Sequence, residues 1–234
     1  MAKHVPTDKR RFYGRRQARP LSPARQTAID TLLPKLKIPE EDITQQGTII
    51  PSSLFEKQRE EIWLEIGFGN GEHLAELTRQ QPHNGFIGAE PFINGMAAFL
   101  KDISNDPADN IRVWMEDAIK LVDSIASDSL DGIYVLNPDP WHKTRHHKRR
   151  IISTENLDRF ARILKSGATL IMTTDVDELA EWMLTHAVNH SEFEWTACSR
   201  EDWAVAPQGW IKTRYEEKGA QAGRKQSYLI FKRR

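Results

Sequence analysis

Four carboxylates in this sequence stand where an apolar run gives way to a turn, the places where an α/β chain does its chemistry. Glu65 opens Glu65-Ile-Gly67-Phe-Gly69-Asn-Gly71. Glycines let a backbone turn tightly and approach a ligand with no Cβ in the way. A dinucleotide fingerprint reads G-x-G-x-x-G and seats a pyrophosphate on the helix that follows. Here the spacing is G-x-G-x-G, with a carboxylate two residues before the first glycine. Glu65 repels a pyrophosphate and suits an ammonium group. Glu90 ends the next apolar run, where an acid can hydrogen-bond both hydroxyls of a ribose. Asp117 follows the third run and is placed to meet an adenine amino group. Three such acids favour a nucleoside with a cationic tail. The plain alternative is that Glu65 and Glu90 are ordinary solvated strand-end acids and the glycines merely make a turn, and an NAD-linked oxidoreductase is the competing functional reading.

The fourth acid lies in Asn137-Pro138-Asp139-Pro140-Trp141-His142-Lys143. Two prolines lock φ and restrict the residues before them, so Asp139 is held rigidly beside the ligand; the plainer reading is a loop cap. Lys143, Arg145, Lys148, Arg149 and Arg150 follow, a set suited to phosphates. His142 and His146 are four apart, but the surrounding cations and the lack of a carboxylate beyond Asp139 argue against a metal. Asp175 precedes an amphipathic run with Glu178 three residues on, so it reads as an N-cap, a substrate contact or both. Glu216 stands in a basic segment. It suits a surface pair with Arg214 or Lys218, or an acceptor for the N–H donors of a bound group.

The formal charge is zero, with 33 basic and 33 acidic residues, yet it is unevenly spread. Residues 1–25 carry net +7, residues 141–150 net +5 and residues 211–234 net +6, so the remainder carries −18. Such a chain offers local positive surface to phosphates despite its neutrality; three solvated charge runs are the plain alternative. Cys198 is the only cysteine, which rules out an internal disulfide and a thiolate metal cluster and fits a reducing compartment. The start, Met1-Ala-Lys-His-Val-Pro6, has no apolar h-region, and no long uncharged stretch spans a bilayer, so a cytoplasmic location is expected.

The elements that must position these residues alternate regularly from Ile62. Strands are expected at Ile62–Ile66, Phe86–Ala89, Ile111–Met115, Ile133–Leu136, Thr169–Thr173 and Tyr228–Phe231. Helices are expected near 71–80, 92–102, 118–126 and 155–164, and from Val176 through Leu184, where apolar residues recur at i, i+3, i+4, i+7 and i+8. This alternation implies βαβ units and a largely parallel sheet with helices on both faces, with ligands beyond the carboxyl ends of the strands. The chain divides into a basic, flexible arm (1–25), an extension with one short helix (26–60) and the main domain (61–234).

The P-D-P-W-x-K run with its basic tail, together with Glu65–Gly71, Thr173-Thr-Asp175 and Thr213-Arg-Tyr-Glu216, resembles the bacterial tRNA (guanine-N7)-methyltransferase family. The resemblance runs from about Leu64 to the end, and more loosely takes in Phe12-Tyr-Gly-Arg-Arg16. It implies a Rossmann-like class I S-adenosylmethionine-dependent methyltransferase with a mostly parallel seven-stranded sheet. Glu65, Gly67, Gly69, Glu90, Asp117 and Asp139 would then line the methyl-donor site, the donor leaving as S-adenosylhomocysteine. Lys143, Asp175, Thr213, Arg214, Tyr215 and Glu216 would meet tRNA at guanosine 46 of the variable loop. Guanine N7 has an in-plane lone pair and no proton, so attack needs no general base, and Asp139 would serve the ring as it turns cationic. The chain departs from the family at Asn137, where an aromatic residue is common, so base stacking is either missing or supplied elsewhere, by Tyr134 or Trp141. Asn137 also revives the N-P-P-[YFW] pattern of amino-nitrogen methyltransferases, which Asp139 interrupts. A non-catalytic RNA-binding module is a third class, against which the four intact acids argue. Monomer and homodimer both fit.

Overall fold

The computed structural model describes residues 16–43, 49–105 and 108–234. Among them, seven strands form one sheet: β1 (Ile62–Ile66), β2 (Gly85–Ala89), β3 (Ile111–Trp114), β4 (Leu130–Leu136), β5 (Leu164–Thr174), β6 (Phe193–Trp195) and β7 (Ser227–Arg233). Their order is β3-β2-β1-β4-β5-β7-β6. The first five run parallel, while β7 lies antiparallel between β5 and β6. The helices are α1 (Pro23–Leu36), α2 (Glu72–Gln80), α3 (Ile93–Asp102), α4 (Ala118–Ser124), α5 (Thr154–Ile163), α6 (Asp177–Val188), α7 (Glu201–Ala204) and α8 (Arg214–Gln221).

Strand side chains alternate between the two faces of the sheet. Ile62, Leu64 and Ile66 of β1 join Ile133 and Val135 of β4 in a core closed by α4, α5 and α6. Trp63 and Tyr134 point the other way, with Phe86, Leu74, Phe99 and Leu36, into a second core under α1, α2 and α3. Both faces of the sheet are therefore covered, as buried parallel strands require.

Strands and helices from Ile62 onward stand where periodicity places them, most to within a residue or two. β4 and β5 start earlier than expected, because Asp131 and Lys165, polar residues that disguise the strand starts, pair across the strands at 2.7 Å. β6, α7 and α8 lack a long apolar pattern and fall outside the expected elements. The helix of the extension, α1, begins at Pro23, inside the segment read as an arm. Its Pro23 sits in the first turn, where a missing N–H costs nothing. Residues 16–19 are held against the start of α3: Ile93 N–H donates to the Arg16 carbonyl at 3.0 Å, and the Asn94 side chain bonds Ala18 N–H and the Arg19 carbonyl. The rest of the arm, residues 1–15, lies outside the described residues. Among the described residues no helix is long and apolar enough to cross a membrane.

Candidate active site

Parallel register brings the carboxyl ends of β1, β2 and β4 level, with Ile66 opposite Ala89 on one side and Val135 on the other. The alignment continues past the strands, Gly67 N–H donating to the Ala89 carbonyl at 2.8 Å and Asn137 N–H to the Thr173 carbonyl at 2.9 Å. Glu65, Glu90 and the loop carrying Asp139 thus share one edge of the sheet. In the loop between β1 and α2, Gly67 and Gly69 take φ of +71° and +57°, and a Cβ on either would meet nothing within 4 Å. Backbone sign demands glycine there, and the space over the loop is open to a ligand.

Both oxygens of Glu90 accept backbone donors at 2.8 Å, Oε2 from Gly69 N–H and Oε1 from Phe92 N–H. Burial pushes its carboxyl above the usual range, those two donors oppose the rise, and the charges of Asp139 and Glu65 add to it. Acids gathered at one edge and repelling one another make a place for a cation. Glu65 is 3% exposed, and its Oε2 lies 2.8 Å from Nδ1 of His73 in the first turn of α2. Asp117 is the N-cap of α4, its Oδ1 accepting Ile119 N–H at 2.9 Å, which leaves Oδ2 to a ligand.

Asp139 is exposed and makes no hydrogen bond or ion pair with a described residue. Its loop is bracketed by two left-handed residues, Asn137 and Trp141, each at φ +46°. Asn tolerates that region better than most residues; for Trp it is an outlier of the kind that collects at functional sites. The Asn137 amide is further held by Gln226, whose Nε2 donates to its Oδ1 at 2.7 Å. Of the two stacking candidates, Tyr134 lies against Trp63 at 4.9 Å, and Trp141 carries the Arg149 guanidinium on its ring at 4.9 Å.

Lys143, Arg145 and Lys148 project into solvent around a 3-10 helix, Thr144–Arg149. Arg150 does not join them. It is 3% exposed, donates from Nε to the Pro140 carbonyl at 2.9 Å, pairs with Glu178 at 2.7 Å and covers the Trp182 ring. The expected phosphate contact is instead a strut beneath the Asp139 loop. Asp175 is not an N-cap either. Val176 holds that position in α6, and buried Asp175 accepts from Arg224 Nε at 2.6 Å and from the Tyr215 hydroxyl at 3.2 Å.

Thr213-Arg-Tyr-Glu216 starts α8. The Thr213 hydroxyl accepts Glu216 N–H at 3.3 Å, one half of a T-x-x-E capping box, the signal from which α8 could have been read. Arg214 N–H donates to Glu72 Oε2 at 2.8 Å, tying α8 to α2 beside the glycine loop. Glu216 pairs with neither Arg214 nor Lys218. It is 4% exposed and accepts from Trp210 Nε1 at 3.0 Å, and burial pushes its carboxyl up. Beside this motif, α7, α8, the start of β7 and the turn after β5 line an open cleft of about 630 Å³ that includes Asp175, Trp203, Lys212, Glu216, Arg224 and Tyr228, within the range of small-ligand sites. His73 and Trp210 escape sequence reading, since a lone histidine on a helix and one tryptophan of seven carry no spacing signal.

This sheet order, with a glycine loop after β1 and acids at the ends of β1 and β2, defines a class I S-adenosylmethionine-dependent methyltransferase fold. The 16S rRNA methyltransferase KamB has a similar structure, with TM-score 0.56 and 14% identity over 75% of this chain and 88% of that one. A family model described as "Putative methyltransferase" matches residues 59–229. Two relatives named tRNA (guanine-N(7)-)-methyltransferase extend the likeness. That of Rhodospirillum rubrum is 43% identical over 98% of this chain and 90% of its own length. That of Brucella anthropi is 45% identical over 95% and 94%. The chain belongs to the tRNA (guanine-N7)-methyltransferase family.

Proposed function

We propose that this chain transfers the methyl group of S-adenosylmethionine to N7 of a guanosine in tRNA, at position 46 of the variable loop, releasing S-adenosylhomocysteine. One observation carries the reading: Glu65, Glu90 and the Asp139 loop converge on one sheet edge over an open glycine turn. That donor set fits the cofactor. Glu65 takes the ammonium, Glu90 retains lone pairs for the ribose hydroxyls, and Asp117 faces the adenine amine. When bound, the donor supplies an electrophilic methyl on a sulfonium.

The chain's residues then have two tasks, alignment and electrostatics. Asp139, free of protein partners among the described residues, supplies negative potential where the purine turns cationic. No residue has to remove a proton from N7. Lys143, Arg145 and Lys148 hold phosphates, with Arg149 at their inner edge. Asp175, Thr213, Arg214, Tyr215 and Glu216 shape the substrate side, next to a cleft with room for a nucleoside. Amino-nitrogen transfer is disfavoured because Asn137 Oδ1 is already engaged by Gln226. In this reading residues 61–234 form the catalytic domain, 26–60 an extension and 1–25 a basic arm toward tRNA, in the cytoplasm.

The test incubates the protein with labelled donor and unmodified tRNA and maps N7-methylguanosine by borohydride–aniline scission. Cleavage in the variable loop is expected. Methylation confined to an exocyclic amine would overturn the reading.

A further inference from the structure

Glu65 and Glu216 belong to the two halves of the proposed site, donor and substrate, and a chain of side chains in contact joins them. Glu65 Oε2 meets His73 Nδ1 at 2.8 Å, with both side chains almost fully buried. The His73 ring lies between Tyr134, edge-on at 4.8 Å, and Trp210, tilted at 5.5 Å. Trp210 Nε1 donates to Glu216 at 3.0 and 3.3 Å from its two oxygens, and the Trp210 ring stands edge-on to Tyr228 at 5.2 Å. A second tie runs outside the first, from the backbone of Arg214 to Glu72, the residue before His73.

The two ends of this chain, Glu65 with His73 and Glu216, are buried, and half-buried Trp210 bridges them. A carboxylate as buried as Glu65 needs a donor to hold its orientation, and the imidazole supplies one. The imidazole is fixed by the start of α2 and by two aromatic rings, so it cannot shift unless Trp210 shifts. Trp210 cannot shift without releasing Glu216 or displacing Tyr228. Movement at either end is therefore felt at the other through packed groups with few alternative arrangements.

We propose that His73 is a positioning residue that couples the two halves of the site: it orients Glu65 toward the methyl donor and, through Trp210, ties that orientation to the Thr213–Glu216 motif, so that donor and tRNA each tighten the binding of the other. The inference rests on the function proposed above, in which Glu65 contacts the donor and Glu216 belongs to the substrate side. Coupling of this kind is reciprocal: the factor by which tRNA raises donor affinity equals the factor by which donor raises tRNA affinity.

S-Adenosylhomocysteine keeps the ammonium and cannot react, so its dissociation constant can be measured by calorimetry with and without unmodified tRNA. The parent should bind it roughly 5-fold or more tightly when tRNA is present, the lower end of typical couplings. His73→Ala should weaken binding without tRNA about tenfold, and His73→Asn, which can place an N–H donor near the position of Nδ1, should restore most of it. Trp210→Phe keeps a ring but removes the donor to Glu216, and should bring the coupling factor close to one. Thermal unfolding of each variant separates local from global loss, and the asparagine rescue is not expected of a merely structural histidine. A parent without coupling, a His73→Ala protein that binds as the parent does, or a coupling factor unaltered in Trp210→Phe overturns the inference. A parent that binds no S-adenosylhomocysteine at all instead defeats the function on which it rests.

Discussion

Asp139 and Arg150 are both charged, eleven positions apart, and stand in opposite relations to water. Asp139 is exposed and unpaired among the described residues, whereas Arg150 is sealed beneath the same loop. Removing Asp139 should therefore cost chemistry and not folding. Asp139→Ala should slow single-turnover methylation roughly 100-fold, the scale of losing one group aimed at developing charge, with tRNA affinity and melting temperature near those of the parent. Near-normal turnover would remove Asp139 from the mechanism. Arg150→Ala should do the reverse, costing about 2 kcal/mol in thermal unfolding by stripping the Pro140 carbonyl and emptying a packed space. Glu90 offers a test by pH. Burial raises its carboxyl above the ordinary value of 4.5. A carboxyl so raised binds its proton more readily in the folded chain, so its contribution is present below about 4.5 and is lost as pH climbs through the raised value. Without donor, the parent should lose stability relative to Glu90→Gln as pH rises from the usual carboxylate range to neutrality. Melting temperatures of the two proteins across that range check this, and a gap independent of pH would count against it.

The 3-10 helix of residues 144–149 sorts its cations by turning, with Lys143, Arg145 and Lys148 outward and Arg149 against Trp141. Replacing the three outward residues by glutamine should lower the salt dependence of tRNA binding by up to roughly 0.7–0.9 of log–log slope for each phosphate that is no longer neutralised. Affinity for S-adenosylhomocysteine alone should hold, and an equal fall in both would indicate misfolding. This sorting also marks where sequence reading stops. Periodicity locates β1 and α2, because their apolar residues recur with the period of the element and face a core. It also puts Glu65 and Glu90 at strand ends, since register follows from parallel pairing. It cannot tell Lys148 from Arg150. Both are basic, and only the path of the loop over Glu178 and Trp182 decides which one is buried. The role of Asn137 is hidden for a similar reason, as its left-handed backbone and its bond to Gln226 depend on a segment 89 residues away. The T-x-x-E signature of α8 is on view in the sequence, but its likeness to a substrate motif conceals the helix start.

At the level of the whole molecule, the site is assembled from distant segments. In the proposed function the donor side uses the ends of β1, β2, β3 and β4; the substrate side comes from the end of β5 and from α8, whose first residue, Arg214, lies 142 positions after the Glu72 it bonds. Contact between the halves is what would carry the proposed coupling, and it also sets a demand on folding. β6 precedes β7 in the chain but touches the sheet only through β7. Until β7 arrives and lies antiparallel along β5, Phe193–Trp195 has no strand to join, and β5 keeps a row of unpaired amides at its margin. A bare parallel margin of that kind invites another chain. Refolding should accordingly be most prone to clumping just before β7 docks, and dilution or an added Ser227–Arg233 peptide during that interval should raise the yield of soluble protein.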